Sequence, residues 1–220
     1  MTVTYQIHLP ELHAAQQQIV DNASRYNVVN CGRRFGKNVL GEDRLIETAI
    51  FGKPAGWFSP TYKMLAESWR SVRDTVRPIT TRANASEHRI ELMTGGTVEM
   101  WSLDNPDAAR GRKYARIVID EAAMVPDLMA AWNAVLSPTL MDLHGDAWFA
   151  STPRGRNGFW QMWQWGQDAQ RPEWMSWRFP TSARRCASPL GSASPGQGRA
   201  GWTTWSSSPS RERLPAPSRS

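Results

Sequence analysis

Apolar residues recur along this chain at two alternating periods, and the alternation predicts its fold. "YNVVNC" (26–31) is a short β-rich run, and residues 37–50 follow it with Leu40, Leu45, Ile46 and Ala49 available to one helix face. "AGWFSP" (55–60) predicts a second strand, and 61–76 a helix with Met64, Leu65, Trp69 and Val72 near 3.6-residue spacing. Two alternating runs flank Thr94-Gly95-Gly96, so 88–103 is expected to be a hairpin. "ARIVID" (115–120) predicts a buried strand, 126–136 a helix, 146–152 another strand and 158–167 another helix. Strands alternating with helices imply an α/β layered fold with a mostly parallel sheet.

The pattern stops near residue 180. Residues 181–220 hold ten Ser, five Pro and six Arg, with no Ile, Val, Phe or Asp. Such a segment buries too little apolar surface to offset its ordering entropy, so a disordered tail is expected after a 1–180 domain. This division also changes the meaning of the charge. The net +6 of the 220 residues comes mostly from the tail, leaving 1–180 near neutrality, so composition supplies no argument for nucleic-acid binding.

Two cysteines and four scattered histidines suggest neither a zinc site nor a disulfide framework. No export signal and no apolar run of membrane-spanning length is visible, which leads to the expectation of a soluble intracellular protein. The twelve Trp are assigned no function; a helix packed on a sheet accounts for Trp160 and Trp163.

Three short stretches carry candidate chemistry. In the first, Cys31-Gly32-Arg33-Arg34-Phe35-Gly36-Lys37-Asn38 lies on the phosphate-loop consensus, between a strand and a helix. Gly36 and Lys37 match it. Cys31 replaces the first Gly, and Asn38 stands where a Mg²⁺-binding hydroxyl is usual. Backbone N–H groups and the helix N-terminus there can hold phosphate oxygens. The loop alone leaves open whether a nucleotide is hydrolysed, only bound, or neither. In the second, Ile117, Val118 and Ile119 end in Asp120-Glu121. That pattern places one carboxylate to hold Mg²⁺ and the next to polarise water. In the third, "WFASTPRGRNGFW" (148–160) brings Ser151 and Thr152 to a strand end, where they can sense the γ-phosphate.

Together "LHAAQ", "GRRFGK", "RGRKYARIVIDEAA" and "STPRG" resemble the ATPase domain of the large terminase subunit, the DNA-packaging motor of tailed phages and prophages, over about residues 9–180. The resemblance implies a P-loop ATPase of the catalytic-glutamate (ASCE) class. Gln16 would contact adenine, and Gly32, Arg34, Phe35, Gly36, Lys37 and Asn38 would surround the phosphates. Arg33 would sense the γ-phosphate, with Arg34 as its competitor. Asp120 and Asn38 would hold Mg²⁺, Glu121 would activate water, and Ser151 and Thr152 would couple hydrolysis to DNA movement. Arg110 would complete a neighbouring subunit's site in a homo-oligomeric ring. The implied partners are double-stranded DNA, the small terminase subunit and the portal protein, in the cytoplasm of a bacterial host.

Two departures from that family are evident. Asn38 offers an amide oxygen in place of a hydroxyl, which predicts binding with slower turnover. The tail has no acidic cluster, so no nuclease activity is expected, and a frameshift near residue 183 would explain it. The alternatives are a nucleotide-binding prophage remnant without catalysis and another P-loop DNA-dependent ATPase.

Overall fold

The computed structural model describes residues 4–179 and 202–206. Eight strands form one sheet: β2 (Tyr26–Cys31), β3 (Pro54–Ser59), β4 (Thr80–Asn84), β5 (Arg89–Leu92), β6 (Thr97–Ser102), β7 (Arg116–Ile119), β8 (Asp146–Ser151) and β9 (Trp174–Phe179). Their spatial order is β4-β5-β6-β3-β7-β8-β2-β9. The strands from β6 to β9 in that order are mutually parallel, and β4 and β5 extend one edge as antiparallel neighbours. Separately, β1 (Thr4–His8) pairs antiparallel with β10 (Trp202–Ser206). The expectation of a disordered tail otherwise falls on residues outside the described ones.

Alternate residues of the central strands feed two cores, as the two-residue period of a strand requires. Val29, Trp57, Val118 and Trp148 point to one face, where helices α2 (Lys37–Ile50) and α3 (Tyr62–Val76) bury Leu40, Leu45, Leu65 and Trp69. Val28, Phe58, Ile117, Ile119 and Phe149 point to the other. There they meet α4 (Leu128–Ala131) and α6 (Gly158–Trp165). Burial on both faces explains why these strands are nearly continuous apolar runs. Among the described residues no helix is long and apolar enough to cross a membrane.

The helix expected over 126–136 is present as continuous helical backbone over 128–139, but it is less regular than its periodicity implied. After α4 the backbone widens into a π-turn over Trp132–Leu136 before a last turn, α5 (Ser137–Thr139). Pro138 has no N–H to donate to the carbonyl of Ala134, four residues back. That carbonyl accepts from Arg110 Nη1 instead, at 3.4 Å.

The hairpin β5–β6 docks on the end of α2 through its turn. Thr94 Oγ1 donates to the Ala49 carbonyl at 2.9 Å, satisfying one of the acceptors a helix leaves open at its C-terminus. Gly96 comes so close that an added Cβ would lie 2.0 Å from the same oxygen. Gly96→Ala is therefore expected to destabilise the protein by about 2–4 kcal/mol, read as a lower urea midpoint at unchanged slope.

Candidate functional site

The parallel strands point their C-terminal ends at one edge, where open α/β sheets place their ligands. β2 delivers the glycine loop there and β7 delivers Asp120-Glu121. Between them lies β8, which ends in Ser151 and is followed by Thr152. The three stretches singled out in the sequence therefore meet, around a cleft of about 800 Å³. Its walls include Arg33, Arg34, Gly36, Lys37, Asn38 and Glu121, with Thr152 and Arg154 opposite.

Gly36 caps α2 with φ +90°, a conformation that side chains resist. Lys37 opens the helix and is buried, its Nζ donating to Thr152 Oγ1 at 3.1 Å and lying 3.7 Å from Glu121 Oε1. Ser151 Oγ, wholly buried, is 3.1 Å from Glu121 Oε2 and donates to it. Lys37, Glu121, Ser151 and Thr152 thus form one connected polar group drawn from three strand ends. Glu121 itself adopts φ +43°, and Arg34 φ +64°, both uncommon for residues with a side chain. Strain of this kind concentrates at functional sites.

Asp120 is 4% exposed, and its Oδ1 accepts the N–H of Glu121 at 2.9 Å. Burial pushes its carboxyl up to about 7, and the charge of Glu121 adds to the rise; that backbone N–H and the Lys37 ammonium pull the other way. A buried carboxylate with a second acid beside it is an environment that a cation would relieve. Asn38 sits exposed in the first turn of α2 and faces the cleft. Among the described residues no three His, Cys, Asp or Glu cluster as a metal cage.

Several residues sit differently from what the motifs suggested. Cys31 is the last residue of β2 and is 1% exposed, its thiol pushed up to about 12 by burial, so it belongs to the core. Phe35 is also buried and stacks on Phe179 at 5.3 Å between ring centres. Arg110, expected at a neighbouring subunit's site, lies away from this cleft as that assignment requires; it pairs with Asp107 at 2.6 Å and lines a separate depression. Gln16, in α1 (Ala14–Asp21), is 1% exposed, and its amide faces the loop backbone and not the cleft. Arg154, Val39, Met64 and Met124 also line the cleft, although sequence reasoning assigned them nothing. Only Arg154 carried a signal, as part of "STPRG".

A second cleft of about 790 Å³ lies on the antiparallel side. Its Arg89 and Arg112 are already bound by the buried Glu99, which also accepts from the Tyr114 hydroxyl at 2.6 Å.

No protein-family model matches the chain. Among curated proteins, it is 30% identical to the large terminase subunit of Escherichia phage T5, over 74% of this chain and 41% of that protein. It is 28% identical to the large terminase subunit of Thermus phage G20c, over 70% of this chain and 36% of that protein. The chain thus spans less than half the length of the curated relatives it matches. Among solved structures, the large terminase ATPase domain of Thermus phage P74-26 superposes with a TM-score of 0.66 at 22% identity, over 79% of this chain and 82% of that one. The large terminase of a thermophilic bacteriophage, in complex with ADP, gives 0.59 at 15% identity, over 77% of this chain and 45% of that one. The chain is a relative of the phage large terminase subunits and matches the part of them that folds as the ATPase domain.

Proposed function

We propose that this chain is the ATP-hydrolysing motor part of a phage large terminase subunit, driving double-stranded DNA into a procapsid. The observation that carries the reading is the convergence of Lys37, Glu121, Ser151 and Thr152 beside a helix N-terminus. A triphosphate bound there takes the N–H groups that open α2 and draws the Lys37 ammonium away from Thr152 and Glu121. Glu121, released from the lysine but still held by Ser151, accepts the proton of the attacking water. Arg33 stabilises the charge that develops on the γ-phosphate, and Thr152 reports whether that phosphate is present. Asp120 and Asn38 would hold Mg²⁺, which would supply neutralising charge to the phosphates. Arg110 serves a neighbouring subunit's site in a ring. The small terminase subunit and the portal protein are the expected partners, in the bacterial cytoplasm.

Asn38 favours a second reading, a remnant that binds nucleotide without turning it over. One experiment separates the two: ATP hydrolysis by the full chain across a Mg²⁺ series, beside Asn38→Thr. The motor reading expects turnover in both proteins, with Asn38→Thr needing about tenfold less Mg²⁺ for half-maximal rate. Nucleotide binding without turnover in either protein would leave only the remnant.

A further inference from the structure

The N-terminus of α1 grips the back of the phosphate loop at two consecutive peptides. His13 caps that helix: its Nδ1 accepts the N–H of Gln16 at 3.3 Å, and the His13 N–H donates to Gln16 Oε1 at 3.0 Å. With Nδ1 occupied as an acceptor, the ring proton sits on Nε2, which donates to the Phe35 carbonyl at 2.9 Å. Gln16 Nε2 donates to the next carbonyl, that of Gly36, at 2.8 Å. The fit is tight, since a Cβ added to Gly36 would lie 2.8 Å from the same nitrogen.

A trans peptide points its N–H opposite to its C=O. Every described peptide here is trans. Holding the Phe35 and Gly36 carbonyls toward α1 therefore turns the N–H groups of Gly36 and Lys37 the other way. Gly36 and Lys37 line the cleft on that other side. Both polar atoms of the Gln16 amide have a partner in this arrangement, and at 1% exposure the side chain does not reach the cleft.

Resting on the nucleotide-binding reading above, we propose that Gln16 and His13 are positioning residues that set the phosphate loop from behind, so that losing either contact weakens binding of the triphosphate. Loss of the Gln16 contact then weakens every ligand bearing the triphosphate by one common factor. A base reader would instead act on adenine alone.

The test measures binding of ATP, GTP and inorganic tripolyphosphate to the full chain and to Gln16→Ala and His13→Ala. Amide hydrogen exchange over residues 32–37 is recorded without ligand. Gln16→Ala is expected to weaken all three ligands by a similar factor, about 5–10-fold, the worth of one such hydrogen bond. His13→Ala acts in the same direction, and exchange quickens in the loop while the buried strands keep their protection. A loss confined to ATP, or unchanged binding of all three, overturns the proposal. If Gln16→Ala does not fold, a common loss in His13→Ala upholds the clamp and unchanged binding in it overturns the clamp. A wild-type chain that binds none of the three would instead sink the nucleotide-binding reading itself, and the clamp with it.

Discussion

Glu121→Gln is expected to lower ATP turnover by about 10²–10⁴-fold while leaving ATP affinity within a few-fold of the wild type. The amide keeps an oxygen that can accept from Ser151 Oγ, so the polar group linking β7 to β8 has no reason to fall apart. What disappears is the capacity to take a proton, together with the negative charge 3.7 Å from Lys37 Nζ. The ammonium then has one competitor fewer for its attention, and phosphate binding holds or tightens. Steady-state hydrolysis measured beside equilibrium binding of a fluorescent ATP analogue checks both halves. Turnover within tenfold of the wild type would remove Glu121 from the role of base.

Asp120→Asn is expected to pull activity and stability apart. Turnover should fall by at least about 10²-fold, because the residue proposed to hold Mg²⁺ loses its charge. The nucleotide-free protein should become more stable. In the folded chain the Asp120 carboxyl is raised to about 7, chiefly by burial, so the fold favours its protonated form. Its contribution to stability is complete below the unfolded carboxylate range, near pH 4, and is lost as the pH rises through about 7. Asn carries no charge at either pH. The variant should therefore exceed the wild type by about 1–3 kcal/mol at pH 8 in chelator, and the gap should close toward pH 5. Urea melts at the two pH values read the sign directly. A gap that widened on acidification would contradict the burial argument. A charge kept at such cost in the empty protein is what a stability–activity trade-off predicts for a cation-binding carboxylate.

Much of this arrangement was legible before any coordinates. The strand at 26–31 and the helix at 37–50 begin and end where their patterns did. The reason is that each is bounded by chemistry as well as periodicity: glycine turns on one side, and an apolar stripe that runs out on the other. The strand carrying Ile117, Val118 and Ile119 was equally plain, because burial on both faces leaves a continuous apolar run. β4 was not seen, since an edge strand reading Thr-Thr-Arg-Ala-Asn has little apolar content to betray it. The π-turn over Trp132–Leu136 was not legible, since the carbonyl that Pro138 cannot serve meets Arg110, which approaches from another part of the chain. The motif residues of the cleft were all quoted in the sequence, and most of them meet. The contact Gln16 makes was not legible, because its partner carbonyl lies twenty residues away and no local pattern says which way its amide turns.

Helix α2 is fastened along its whole length. At its start Gln16 holds the capping carbonyl, and at its end Thr94 holds the carbonyl of Ala49. Along the shaft, Arg116 at the head of β7 donates to the Arg44 carbonyl and pairs with Glu47. The same guanidinium grips Asp146 at the head of β8 with two bonds, at 2.7 and 2.8 Å. A member anchored at both ends and braced midway carries thrust without rolling. A push delivered at the phosphate end would thus be shared with β7 and β8 through Arg116. For the proposed motor, such a rod would resist recoil under load.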